Sequence, residues 1–91
     1  MAKVEIYTTG YCPYCTRAKS LLKSKGAAFT EIDVTDDDEL REKMVQLSGG
    51  RRTVPEIFIN GKIIGGFDEL YALDARGELD ALLAEASPEA S

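Results

Sequence analysis

The sequence contains no histidine and no tryptophan, and only two of its 91 residues are cysteine. Without histidine, the chain cannot form the cysteine–histidine pair of a thiol hydrolase. Two cysteines do not supply the four ligands of a structural zinc site, so we predict no metal site. The first ten residues hold no apolar run, and no stretch approaches the roughly 20 apolar residues of a membrane span. We therefore expect a cytoplasmic protein without membrane contact.

Acidic residues outnumber basic ones, and the net charge is −5. This balance argues against a nucleic-acid partner. The charge is uneven, because residues 1–27 carry five basic side chains and one acidic side chain. The segment from Glu31 to Glu42 instead holds seven of the sixteen acidic residues. The basic first third favours an anionic substrate. The acidic segment is interpreted as a solvated helix face or, alternatively, as a partner-docking surface.

Both cysteines lie in the segment Cys12-Pro13-Tyr14-Cys15, between a predicted strand and a predicted helix. Proline favours the first helical position, which makes Cys12 the N-cap residue. The sulfur there faces the unpaired N–H groups and the positive dipole end of the helix, which stabilise a thiolate. Cys15 follows at i+3, within reach of a disulfide. The pattern indicates a redox pair with Cys12 as nucleophile and Cys15 as resolving cysteine; a purely structural disulfide is the alternative.

Hydrophobic periodicity and turn residues predict the order βαβαββα, followed by a short last helix. Strands are predicted over residues 4–8, 28–34, 56–59 and 62–64, with a hairpin turn at residues 60–61. The second helix is predicted to begin at residue 35 and to bury Leu40, Met44 and Leu47, and the third to turn Leu70, Tyr71 and Leu73 inward. The fold class is therefore α/β, with a four-stranded mixed sheet flanked by helices. One domain is expected over residues 1–85, followed by a flexible tail over residues 86–91.

The chain resembles the glutaredoxin family over residues 3 to about 83. The resemblance rests on Cys12-Pro13-Tyr14-Cys15, Thr53-Val54-Pro55, Gly65-Gly66-Phe67-Asp68 and the leucine-rich ending. The chain is similar to the small bacterial dithiol type, which implies a thioredoxin fold. It also implies glutathione-dependent reduction of protein disulfides and glutathione mixed disulfides, with glutathione as co-substrate and no permanently bound cofactor. The implied partners are glutathione and disulfide-containing or glutathionylated proteins, and we expect a monomer.

The resemblance further implies a substrate groove. The backbone of Val54 pairs with the cysteinyl part of glutathione, and a cis bond before Pro55 holds that backbone open. The helix N-terminus near Asp68 receives the γ-glutamyl end, which suits a carboxylate and an ammonium group. In the simpler interpretation, Tyr14 is a surface aromatic residue, Thr53 and Pro55 are ordinary turn residues, and Gly65-Gly66 is only a strand-to-helix turn. The substrate-binding residues implied by the family are Tyr14, Thr53, Val54, Pro55, Gly66, Phe67 and Asp68.

The sequence departs from the family pattern at Thr9, where many relatives carry a lysine that reaches a glutathione carboxylate. Arg51 and Arg52 immediately precede Thr53, on the loop that borders the same groove. A guanidinium can hold a carboxylate through two parallel hydrogen bonds. We therefore predict that Arg51 binds this carboxylate, with Arg52 as second candidate. Solvated loop charges are the alternative.

Two other functions remain open. The first is an iron–sulfur scaffold or carrier, formed by a homodimer with Cys12 and bound glutathione as ligands. Relatives of that kind usually carry a small residue after the first cysteine, so Pro13 argues against it. The second is a redoxin that thioredoxin reductase, instead of glutathione, returns to the reduced state.

Overall fold

A computed structural model describes residues 2–85 of the chain. The described residues form strands β1 (Val4–Thr8), β2 (Thr30–Asp33), β3 (Glu56–Ile59) and β4 (Lys62–Gly65), and helices α1 (Pro13–Ser24), α2 (Asp38–Leu47), α3 (Phe67–Ala75) and α4 (Leu79–Ala84). No helix within this part of the chain is long and apolar enough to cross a membrane. The predicted tail over residues 86–91 lies outside the described residues.

The four strands form one mixed sheet in the order β2-β1-β3-β4. β1 runs parallel to β2 and antiparallel to β3, and β3 runs antiparallel to β4. β3 is buried at all four residues, as expected of a strand covered on both faces. Asn60 and Gly61 have φ angles of 53° and 80°, which confirms the predicted two-residue hairpin turn. The predicted mixed sheet with flanking helices is therefore confirmed.

Side chains alternate across β3, so the core consists of two clusters on opposite faces of the sheet. Phe58 lies in one cluster with Met44 of α2 and Tyr7, whose ring centroid is 5.6 Å from that of Phe58. Ile57 and Ile59 lie in the other cluster, which α1, α3 and α4 cover with Ala18, Leu22, Leu70, Leu79 and Leu83. Burying a large apolar side chain contributes about 1.5–3 kcal/mol. The cluster around Ile57 and Ile59 therefore packs α1 and α3 against the same face of the sheet.

Two side chains predicted to face inward lie on the surface instead. Leu47 is 54% exposed and Tyr71 is 61% exposed. In α2 the inward positions belong to Met44 and Val45, so the buried stripe turns away from Leu47 at the last turn. Both predictions were wrong because helical spacing alone did not identify which apolar side chains the sheet would cover.

The predicted second strand and second helix are both longer than the observed elements. The Asp33 carboxylate accepts hydrogen bonds from the N–H and the hydroxyl of Thr35, at 2.8 and 2.6 Å. Such local side-chain bonds favour a turn over continued strand or helix. The Asp37 carboxylate then accepts the N–H of Leu40 at 3.0 Å. Asp37 is thus the N-cap, and α2 begins at Asp38, three residues later than predicted.

Candidate active site

Cys12 is the N-cap residue of α1, as the position of the following proline predicts. Its backbone is extended, with φ −151° and ψ 101°. Its sulfur accepts the backbone N–H of Cys15 at 3.2 Å. The same sulfur lies 3.8 Å from the carbonyl oxygen of Val54. The Cys15 N–H and the positive end of the helix dipole therefore both point at Cys12 Sγ.

Cys15 differs strongly from Cys12 in its surroundings, although both are free thiols. Cys15 is only 2% exposed. Burial raises the pKa of the Cys15 thiol to about 12, and its hydrogen bond with Cys12 acts in the same direction. A partly exposed first sulfur and a buried second sulfur, one helical turn apart, suit an attack followed by a resolving step.

A groove of about 310 Å³ lies beside the cysteine pair. One wall is the loop that leads into β3, and the other is the N-terminus of α3. All eight predicted substrate-binding residues line it, together with one acidic residue that the sequence did not single out: Tyr14, Arg51, Thr53, Val54, Pro55, Gly66, Phe67, Asp68 and Glu69. A slightly larger groove, of about 360 Å³, lies between β4, α3 and α4, and none of the predicted site residues lines it. The structure therefore brings the predicted site residues together, whereas their individual roles remain predictions.

The first wall contains the cis peptide bond between Val54 and Pro55, which confirms the expectation carried by the family resemblance. Val54 precedes β3, and within residues 2–85 its N–H donates to no other residue. Within the described part of the chain, the one hydrogen-bond contact of its carbonyl oxygen is with the Cys12 sulfur. Both polar backbone groups of Val54 are thus available to an extended ligand backbone.

The second wall approaches the first closely. A Cβ atom added at Gly66 would lie 3.4 Å from the carbonyl oxygen of Pro55, which is van der Waals contact across the groove. Gly66 is the N-cap of α3 and has no side chain to cap the helix. The N-terminus of α3 therefore opens onto the groove, where backbone N–H groups and the helix dipole favour an anion.

Arg51 lies in the groove but is already paired with two carboxylates. Its Nε donates to Glu56 Oε1 at 3.0 Å, and its Nη2 donates to Glu69 Oε1 at 2.7 Å. The Arg51 side chain remains 42% exposed. Arg52 does not line the groove; it is 71% exposed and lies 3.8 Å from Glu42. Of the two arginines, the structure places only Arg51 where a ligand could contact it.

Aromatic side chains extend from the groove over the surface. The Phe67 ring lies between those of Tyr14 and Tyr71, with centroid distances of 6.4 and 5.9 Å. The guanidinium carbon of Arg17 lies 5.4 Å from the centre of the Tyr14 ring. Tyr71, predicted for the core, therefore belongs to an exposed aromatic row next to the cysteines.

Sequence reasoning missed the two carboxylates that hold Arg51. Glu56 follows Pro55 as the first residue of β3, and it is completely buried. Glu69 stands three residues after the N-cap Gly66, the position from which a glutamate can cap its own helix. This spacing could have predicted that Glu69 caps α3. Nothing in the sequence indicated that Glu56 would be buried, because a charged residue in a strand is usually solvated.

Comparison with known proteins agrees with this geometry. The family model described as Glutaredoxin matches residues 4–64. The chain is 59% identical over 83 residues to Glutaredoxin 3 of Escherichia coli K12, covering 91% of this chain and 99% of that protein.

Solved structures show the same likeness. One is the solution structure of a glutaredoxin from Brucella melitensis, with 54% identity, a TM-score of 0.80 and coverage of 91% of this chain and 89% of that chain. Another is a buckwheat glutaredoxin–glutathione complex, with 33% identity, a TM-score of 0.82 and coverage of 90% of this chain and 76% of that chain. The expected thioredoxin fold is confirmed by these neighbours. The chain belongs to the glutaredoxin family.

Proposed function

We propose that this protein is a glutathione-dependent thiol–disulfide oxidoreductase that acts as a cytoplasmic monomer on protein disulfides and glutathionylated proteins. The observation that carries the proposal is the position of the Cys12 sulfur. It caps α1, accepts the Cys15 N–H at 3.2 Å and adjoins the Val54 carbonyl at the groove. The buckwheat relative forms a complex with glutathione, which supports glutathione as the ligand of this groove.

Removal of glutathione from a protein needs only Cys12. Its thiolate attacks the glutathione sulfur of the mixed disulfide, the old S–S bond breaks, and the protein sulfur leaves as a thiolate that takes a proton from water. The thiolate of a second glutathione then attacks the glutathione sulfur bound to Cys12. This step forms glutathione disulfide and returns Cys12 as a thiolate, so the two electrons come from glutathione.

Reduction of a protein disulfide also uses Cys15. Cys12 attacks one sulfur of the substrate and forms a mixed disulfide while the other substrate sulfur leaves. Cys15 then attacks the Cys12 sulfur, releases the reduced substrate and leaves a Cys12–Cys15 disulfide. Cys12 contributes to the raised pKa of Cys15 through a hydrogen bond and through like charge. Both contributions end when Cys12 enters the mixed disulfide, so Cys15 becomes easier to deprotonate at the step that needs it.

The groove residues bind glutathione through different groups in this proposal. Val54 offers its N–H and its carbonyl to the cysteinyl backbone, and the N-terminus of α3 receives the γ-glutamyl carboxylate. Asp68 pairs with the ammonium group of the same end. Tyr14 and Phe67 supply apolar contact. Arg51 keeps donor groups beyond those given to its two carboxylates, and these bind the remaining glutathione carboxylate.

The test is reduction of a glutathione mixed disulfide with glutathione, glutathione reductase and NADPH. Turnover is expected with wild type and with Cys15→Ser, and none with Cys12→Ser. Turnover with thioredoxin reductase in place of the glutathione system would instead identify the alternative redoxin. Visible absorption bands of a cluster in freshly purified protein, without turnover, would favour the iron–sulfur scaffold.

A further inference from the structure

Arg51 joins the two walls of the groove. Glu56, which it contacts through Nε at 3.0 Å, directly follows the cis proline of the first wall. Glu69, which it contacts through Nη2 at 2.7 Å, lies in the first turn of α3 in the second wall. Arg51, Glu56 and Glu69 together form a unit that we call the clasp. One guanidinium therefore connects segments that are 13 residues apart in sequence.

Glu56 is the buried end of the clasp. Its side chain is 0% exposed, and within residues 2–85 its Oε2 atom has no hydrogen-bond partner. Burial raises the pKa of Glu56, while Ser48, Arg51 and their hydrogen bonds act against this rise. A buried carboxylate needs a cationic partner, so Arg51 is held toward β3.

Glu69 is the outer end of the clasp and is fixed by its own helix. The hydrogen bond from Arg51 lowers the pKa of Glu69 most strongly, and the backbone N–H groups of Glu69 and Gly66 lower it further. This arrangement is one half of a capping box. Gly65 has a φ of 120°, and a Cβ atom there would lie only 2.8 Å from Glu69 Oε1. The absence of a side chain at Gly65 leaves room for the Glu69 carboxylate beside Arg51.

We propose that Glu56 and Glu69 act through Arg51 as positioning residues, and that the clasp holds the two walls at the separation that glutathione requires. The proposal rests on the proposed function and extends it to two carboxylates, Glu56 and Glu69, to which that function assigns no ligand contact. It differs from a simple charge effect of Arg51. If Arg51 merely attracted a carboxylate, Glu69 would compete for the guanidinium, and its removal would improve binding. In the clasp, removal of Glu69 frees one wall and weakens binding.

The experiment compares KM and kcat for a glutathione mixed disulfide among wild type, Arg51→Ala, Glu69→Ala and the double variant. Each single change is expected to raise KM about three- to tenfold, with kcat altered less than about twofold. The double variant is expected to match Arg51→Ala, because that change alone already opens the clasp and leaves Glu69→Ala nothing further to release. The rate at which Cys12 is alkylated should stay unchanged in all of them, since none touches the Cys12 sulfur.

Two conservative variants separate geometry from charge. Arg51→Lys keeps the charge but lacks the planar fork that reaches both carboxylates, so its KM is expected to rise nearly as much as that of Arg51→Ala. Glu69→Gln keeps an oxygen acceptor for Arg51 and for the helix N-terminus, so its KM is expected to lie between wild type and Glu69→Ala. Arg76→Ala, which breaks an exposed pair with Glu78 outside the groove, is the matched control and should leave KM unchanged.

The inference is overturned if Glu69→Ala lowers KM or leaves it unchanged, if the two single effects add in the double variant, or if Arg51→Lys behaves as wild type. The variants avoid Glu56, whose truncation would open a space in the core. A wild-type protein that fails to turn over the mixed disulfide would overturn the proposed function itself and the clasp with it. That result is distinct from an active wild type whose variants keep its KM.

Discussion

Cys15 is the cysteine whose reactivity the fold should suppress. Its pKa is raised to about 12, first by burial. Near pH 8 a free cysteine is about one-quarter thiolate, whereas a pKa of about 12 leaves about one part in 10,000. This is a deficit of roughly 2,000-fold in thiolate. The more basic thiolate is intrinsically more nucleophilic and recovers a factor of about 30. Folded Cys15 is therefore expected to react about 50- to 100-fold more slowly than a free cysteine.

Single-cysteine variants and an aromatic disulfide reagent measure this difference. Cys12→Ser leaves Cys15 with burial, the largest cause of its raised pKa, but without the hydrogen bond and like charge of Cys12, so about 100-fold is the upper limit of the slowing expected in this variant. Cys15→Ser presents Cys12 alone. The partly exposed Cys12 sulfur, which accepts the Cys15 N–H at the start of α1, is expected to react much faster than buried Cys15. Denaturant should bring Cys15 to the free-cysteine rate, which serves as the control. Reaction of folded Cys12→Ser at that rate would refute the reasoning from burial.

Three further predictions follow from the same geometry. Cys15→Ser should keep removal of glutathione from proteins and lose multiple-turnover reduction of an insulin-like protein disulfide, whereas Cys12→Ser should lose both; the reverse pattern contradicts the assignment of the nucleophile. Asp68→Asn should raise KM for the glutathione mixed disulfide about three- to tenfold and leave kcat nearly unchanged. Asp68 is exposed, so its bond to the ammonium group is worth less than the about 1.5–3 kcal/mol of a buried charge-assisted bond. An unchanged KM means that Asp68 does not meet the ammonium group. Burial raises the pKa of Glu56 above 4.5, so the folded protein binds the Glu56 proton more tightly than the unfolded chain does. The free energy of unfolding of wild type should therefore fall relative to that of Glu56→Gln as pH rises from 4.5 through the raised pKa. Urea unfolding of both proteins from pH 4 to 8 measures this difference, which cannot exceed about 1.4 kcal/mol per pH unit for one proton; a difference independent of pH contradicts it.

The parts of the structure that the sequence predicted well depend on short-range chemistry. The proline after Cys12 predicted the N-cap, and the Asn60-Gly61 pair predicted the hairpin, because each feature is decided by adjacent residues. The mixed four-stranded sheet followed from the predicted element order and the hairpin, whereas the sequence did not predict that β3 would lie beside β1. The groove residues came from family motifs, whose spacing already reflects a known fold.

The parts that were missed depend on long-range packing. Leu47 and Tyr71 occupy helical positions that suit burial, but the sheet covers other faces of α2 and α3. The pairing of Arg51 with Glu56 and Glu69 requires β3 and α3 to be side by side, which no local pattern specifies. Sequence reasoning therefore placed Arg51 at the groove and overlooked the carboxylates that orient it.

The capping role of Cys12 also links folding to redox equilibrium. The hydrogen bond that the reduced Cys12 sulfur accepts from the Cys15 N–H exists only in the folded protein, so folding favours the reduced form to the extent that a disulfide weakens this bond. In a thermodynamic cycle, the unfolding free energies of the disulfide and dithiol forms differ by a certain amount. That amount sets how far the reduction potential of the folded protein lies from that of the unfolded chain. About 1.4 kcal/mol of that difference corresponds to about 30 mV for a two-electron couple. Any change that weakens the start of α1 should thus make the protein a weaker oxidant, even without contact with a substrate.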